Sequence, residues 1–174
     1  GHLGQKAPPF LEYLGDLKMF LDLAFDGREG GSQVLGGVQK WTMSSNWKFA
    51  AENFARDGYH NISHRSVDMV GIGPSGRGRR DDDEVPRRRH LDISFPDLGH
   101  AAVVDMQPND LPQVATYTNT QMVQDYFREQ EAQRRASLGD RPNLVGLVGT
   151  VFPNKSYLAR QPRSIAMWHP RGPT

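Results

Sequence analysis

Cysteine is absent from all 174 residues. Its absence excludes disulfides, thiol nucleophiles, zinc ribbons and cysteine-held iron–sulfur clusters within these residues, and it fits a reducing compartment. Long apolar runs are missing too, for no stretch approaches the roughly 20 residues that a membrane-crossing helix needs. Nor is there an excess of charge of either sign: 21 Lys and Arg stand against 20 Asp and Glu, a formal charge of +1. That balance supplies no overall field for a polyanion, so nucleic acid and membrane surfaces are not the expected partners. What is present is 37% hydrophobic and 24% charged residues with a mean hydropathy of −0.64, the composition of a globular chain of one domain. Metal chemistry, if any, must use histidines and carboxylates. No basic-then-apolar leader opens these residues, and a cytoplasmic location is expected. Gly1 in place of Met, and an end at Trp168–Thr174 without a closing helix or polar tail, make a fragment of a longer polypeptide the expectation.

Phe10, Leu14, Leu17 and Leu21 recur at helical spacing behind Pro8 and Pro9, with Gly27 beyond, and predict one helix over residues 8–25. Glycines mark a turn region over 30–37, and Val38 to Met43 reads as a strand. A second helix is expected from an N-cap at Ser44 or Ser45 towards His64, with Trp47, Ala50, Ala51 and Phe54 on its apolar side and Gly58 as a weak point. Residues 71–89, Gly-rich and then charged, read as a surface loop. Residues 99–106 predict a buried strand, and 119–136 a helix closed by Gly139, with Met122, Tyr126 and Phe127 as core. Three strands follow over 144–152, 156–159 and 164–168. Strands and helices are segregated without β-α alternation, which predicts an α+β fold with an antiparallel sheet.

The polar residues Asn53, Asp57, His60 and His64 are spaced by four, three and four, so on a helix they share one face. Two imidazoles four residues apart can converge on one metal ion, and a carboxylate one turn earlier can orient a ligand ring. Chance occurrence on a helix is the alternative. A zinc hydrolase of the His-Glu-x-x-His kind is excluded, because Asn61 stands where the general-base carboxylate belongs. Two histidines and one carboxylate with open positions suit ferrous iron. Asp68, one turn beyond His64, is a local candidate for the third ligand, although the approaching glycines point to a helix end there.

The stretch Asn46-Trp47-Lys48-Phe49-Ala50-Ala51-Glu52-Asn53-Phe54, followed by Asp57-Gly58-Tyr59-His60 and His64, resembles the mononuclear-iron motif of the large (alpha) subunit of Rieske non-haem iron aromatic-ring-hydroxylating dioxygenases. Pro8 to Asp16, Thr150 to Leu158 and Trp168 to Pro173 resemble other segments of the same family, so the likeness spans nearly the whole chain. The resemblance implies a helix-grip catalytic domain of which residues 1–174 are a part, with the Rieske domain upstream and the rest of the catalytic domain downstream. It implies that His60 and His64 are ligands of a mononuclear Fe(2+), with the third, carboxylate ligand beyond Thr174. Asp57 would be the bridging acid between subunits and Asn53 a catalytic neighbour of the iron, while Phe54, Asn61 and Leu158 would line the substrate pocket. Electrons would pass from NAD(P)H through a reductase and a ferredoxin to a Rieske [2Fe-2S] cluster and then to the iron of a neighbouring alpha subunit. The alpha subunits would form a trimer, with or without beta subunits, converting an aromatic hydrocarbon and O2 into a cis-dihydrodiol. The step between the two histidines is at the short end for the family, so pocket positions after His64 are not carried over.

Two other readings stand beside this one. A non-catalytic helix-grip module binding an apolar ligand would explain the apolar strands but leave the polar stripe without a purpose. An anion or nucleic-acid patch built on Arg77, Arg79, Arg80 and Arg87 to Arg89 would be largely cancelled by Asp81, Asp82, Asp83 and Glu84, which makes this a solvated loop. His90, His100 and His169 have no partner spacing and read as structural or surface residues.

Overall fold

A computed structural model describes residues 7–27, 29–55, 63–70, 90–106, 120–138, 144–159 and 163–172. The predicted N-terminal helix resolves into two, α1 (Phe10–Leu14) and α2 (Leu17–Phe25). The break falls at Gly15, whose φ of +51° and ψ of −139° suit a residue without a side chain. The stripe that α1 and α2 bury is Leu14, Leu17, Phe20, Leu23 and Ala24, whereas Phe10 is exposed.

The sheet is a five-stranded antiparallel meander in the order β1 (His90–Phe95), β2 (His100–Met106), β3 (Leu144–Val151), β4 (Lys155–Leu158) and β5 (Ser164–Met167). β2 to β5 correspond to the expected strands. β1 is additional, although His-Leu-Asp-Ile-Ser-Phe alternates as a strand should. The expected strand at 38–43 forms no strand and has no ladder partner among the described residues, and Val38, Trp41 and Met43 are exposed. Alternation supplies a face, but a strand also needs a neighbour for its backbone groups.

Alternation gives the sheet two different faces. On one, Ala102, Val104 and Val151 meet Leu14, Leu17, Phe20 and Leu23 in the main core. Gly149 on the same face lies opposite Tyr157, whose ring occupies the space a Cβ would take. Ala24 and Ala159 complete that packing around Tyr157. On the other face the cross-strand pair Thr150 and Ser156 is turned towards α3 (Trp47–Asn53). Leu147 is an extra residue between the pairs Val103–Val148 and Val104–Gly146, and its carbonyl accepts from the Ala159 N–H at 2.8 Å.

His100 is buried and structural, as expected of a histidine without a partner spacing. Its Nδ1 accepts from the Phe152 N–H at 3.0 Å, which leaves Nε2 to donate to the Tyr13 carbonyl at 2.8 Å. The ring is thereby set in one neutral tautomer, bridging α1 to the β3–β4 turn. His169 is exposed.

The C-terminal helix α5 (Gln121–Ser137) forms as expected, but the wrong residues were assigned to its core. Met122 is 77% and Tyr126 52% exposed, Phe127 is half-buried, and the buried pair is Glu131 and Arg134. Arg134 holds the Glu131 carboxylate through Nε at 2.8 Å and a terminal nitrogen at 2.6 Å, and donates to the Leu144 carbonyl at 3.0 Å. A guanidinium with its carboxylate in place can be buried, which apolar counting cannot foresee. Gly139 and the loop expected at 71–89 lie outside the described residues. Among the described residues no helix is long and apolar enough to cross a membrane. The fold is mixed α and antiparallel β, in agreement with the expectation.

Candidate functional site

The motif begins on α3. Its N-cap is Asn46, not Ser44 or Ser45: the Asn46 side-chain oxygen accepts from the Lys48 N–H at 3.0 Å. The helix is much shorter than its apolar spacing implied. It ends at Asn53, where the Ala55 N–H bonds to the Glu52 carbonyl at 2.9 Å and tightens the last turn. Phe54 and Ala55 are turn residues, so the polar stripe from Asn53 to His64 does not lie on one uninterrupted helix.

Asn53 is the last helical residue and Phe54 the C-cap, and both are half-buried. Asp57, His60 and Asn61 lie outside the described residues. His64 is half-buried on a single 3-10 turn with Ser63, directly before α4 (Arg65–Met69). Asp68 falls within α4, which shows that helical structure continues past His64. Leu158 is half-buried on β4, two residues from Ser156 and therefore on the sheet face that carries α3. The structure thus brings Asn53, Phe54 and Leu158 to the same side of the sheet.

Among the described residues two contacts hold the end of α3. The Thr150 hydroxyl donates to the Ala51 carbonyl at 2.8 Å, and the Phe54 ring lies 6.0 Å from that of Trp168, tilted by 50°. Trp168 is itself held at the β3–β4 turn, where its N–H bonds the Asn154 carbonyl and its carbonyl accepts from the Asn154 side chain, each at 2.8 Å. Its indole N–H donates to Ser156 at 2.9 Å. Sequence reasoning passed over Thr150, Ser156 and Trp168 as site residues, although all three stand in the segments that carried the family likeness.

The described residues contain no group of three His, Asp or Glu side chains able to hold a metal ion. The donor chemistry of the motif nevertheless fits iron: two imidazoles preceded by a carboxylate, with no thiolate anywhere in the chain, suit a non-haem ferrous centre.

Residues 32–174 match the family model described as "Ring hydroxylating alpha subunit (catalytic domain)". The chain is 32% identical over 173 residues to the biphenyl dioxygenase subunit alpha of Paraburkholderia xenovorans (strain LB400), covering 97% of this chain and 37% of that protein. It is also 32% identical over 168 residues to a benzene 1,2-dioxygenase subunit alpha of Pseudomonas putida, covering 92% and 36%. Among solved structures, naphthalene 1,2-dioxygenase from Rhodococcus sp. bound to indole superposes with a TM-score of 0.63 at 26% identity, over 99% of this chain and 40% of that one. The chain therefore spans little more than a third of the length of these curated relatives.

Proposed function

From the premise that the chain belongs to the family of ring-hydroxylating alpha-subunit catalytic domains, we propose that its residues form part of the iron-bearing domain of a terminal oxygenase. That enzyme dihydroxylates an aromatic hydrocarbon with O2, giving a cis-dihydrodiol. The observation that supports this best is the Asn53, Asp57, His60, His64 stripe inside the matched residues. The names of the relatives point to biphenyl and benzene as their substrates, which supports an apolar aromatic ring as the substrate in this reading. The antiparallel sheet with helices on it is the portion of a helix-grip domain that these residues supply.

His60 and His64 are the two imidazole ligands in this reading, and a carboxylate beyond Thr174 is the third. Ferrous iron held there supplies the activation of dioxygen. The chain's own residues do the rest. Asp57 accepts a hydrogen bond from His60, which holds the ring in the tautomer that binds metal and joins the site to the neighbouring alpha subunit of a trimer. Asn53 presents a polar group beside the iron, and Phe54, Asn61 and Leu158 wall the pocket so that an aromatic ring displaces water. A Rieske domain preceding these residues would hold a [2Fe-2S] cluster, which would supply electrons taken from NAD(P)H by a reductase and passed on by a ferredoxin. Beta subunits are compatible with this arrangement, and the cytoplasm is its compartment.

The test uses the alpha subunit with its flanking sequence and electron-transfer components. His60→Ala is expected to remove the mononuclear iron while leaving the Rieske spectrum intact, and retained iron stoichiometry would contradict the assignment. Asp57→Asn is expected to keep iron and lower coupled turnover by at least about tenfold to a hundredfold. Unchanged turnover would remove Asp57 from the electron path.

A further inference from the structure

We infer that Trp168, Ser156 and Thr150 form a one-way hydroxyl relay that positions the end of α3, and with it the start of the iron motif. The inference rests on the iron-site reading above.

Donor and acceptor roles along the relay are settled by chemistry. An indole N–H can only donate, so Ser156 Oγ accepts from Trp168 at 2.9 Å. A backbone carbonyl can only accept, so the Thr150 proton goes to Ala51 at 2.8 Å. Thr150 Oγ1 and Ser156 Oγ are 3.1 Å apart, and the only proton left for that bond is that of Ser156. Ser156 and Thr150 therefore each donate once and accept once along the relay, in a single direction from Trp168 to α3. Ser156 is fully buried and Thr150 is 7% exposed, so water does not compete for these bonds.

The Ala51 carbonyl is one of the last four of a seven-residue helix, which have no intrahelical partner. α3 contains no buried residue of its own, so apolar packing does not seat it in the way that it seats α2. Its seat is instead Thr150 at Ala51 and the Trp168 ring at Phe54. Both contacts return to Trp168, whose indole feeds the relay and meets Phe54. One side chain thus governs two points within four residues, and Asp57 follows Phe54 by only three positions in the sequence. Thr150, Ser156 and Trp168 are positioning residues, acting through the backbone of α3.

The experiment compares Thr150→Val, Thr150→Ser and Trp168→Phe in the complete alpha subunit. Thr150→Val keeps the shape and removes the hydroxyl, Thr150→Ser keeps the hydroxyl, and Trp168→Phe keeps a ring without the N–H. Hydrogen exchange of the amides near Phe54 and release of iron to a chelator are each expected to quicken about tenfold in Thr150→Val, the loss of one to two net hydrogen bonds. Trp168→Phe should move in the same direction, Thr150→Ser should restore wild-type behaviour, and β2 amides such as Ala102 and Val104 should be unaffected in all three. Unchanged α3 exchange and iron release in Thr150→Val would overturn the inference, as would equal acceleration in β2, which marks a general loss of stability. If Thr150→Val does not fold, Trp168→Phe decides by the same readouts. A wild-type subunit that holds no mononuclear iron would instead overturn the iron-site reading, and the exchange data would still decide whether the relay positions α3.

Discussion

Tyr157 shows how much one position depends on its surroundings. The ring lies over Gly149, its cross-strand partner, and against Ala24 and Phe25 of α2. A side chain at position 149 would run into that ring, so glycine is required there by the neighbour rather than by backbone angles. Burial pushes the Tyr157 phenol well above its ordinary value of 10.0, because the phenolate would lose its hydration. Tyr13, whose hydroxyl donates to the Phe152 carbonyl at 2.6 Å, is also raised by desolvation. Both groups hold their protons more tightly folded than unfolded. Their contribution is therefore complete below the unfolded value and is lost as pH rises above it towards the folded value. The urea midpoint is expected to be flat around pH 8 to 9 and to fall above about pH 10. Tyr157→Phe should remove the larger part of that fall; an undiminished alkaline slope would show that Tyr157 is not its source.

Among the elements, α5 departs most from its sequence pattern. Its apolar residues Met122 and Tyr126 face outward, and its buried anchor is the charged pair Glu131 and Arg134, with Arg135 on the same carboxylate at 2.8 Å. Arg134 also packs where a Cβ on Gly27 would sit and reaches the Leu144 carbonyl, joining three elements. Removing the carboxylate leaves a guanidinium in a site from which water is excluded. Glu131→Ala is expected to cost about 3–5 kcal/mol in urea unfolding, whereas Met122→Ser should stay within about 0.5 kcal/mol. The reverse order would mean that α5 is held by its apolar residues. α3 is short for all that its apolar residues repeat at helical spacing: it ends at Asn53, and Phe54 beyond it meets Trp168.

At the scale of the molecule, the helices and sheet are joined by contacts between distant parts of the chain, such as Tyr13 with His100 and Ala51 with Thr150. The extended segment before α3 takes no part in that core: Val34, Leu35 and Val38 are each more than four-fifths exposed. In the 174-residue chain, replacing Val34 and Leu35 by Ser is expected to leave unfolding free energy within about 0.5 kcal/mol and to reduce light scattering from association. A loss of more than about 2 kcal/mol would show that the segment is packed.

The sequence by itself determined the local periods. The short apolar runs over 144–151 and 100–106, the turn residues between the C-terminal strands, and the apolar stripe of α2 made an antiparallel α+β fold readable. Motif spacing and family likeness carried the proposed iron motif from Asn53 to His64, of which the described residues include only its two ends. Only the tertiary structure decided which patterns were used. Val38–Met43 alternates but found no partner among the described residues, the first predicted helix broke at Gly15, and the 44–64 helix stopped at Asn53. Thr150, Ser156 and Trp168 became one relay to Ala51 because strand register and a turn bring them together across up to 117 residues of chain. Periodicity is a property of neighbours in sequence, whereas strand pairing, buried ion pairs and hydroxyl chains depend on which distant groups the fold places within hydrogen-bonding distance.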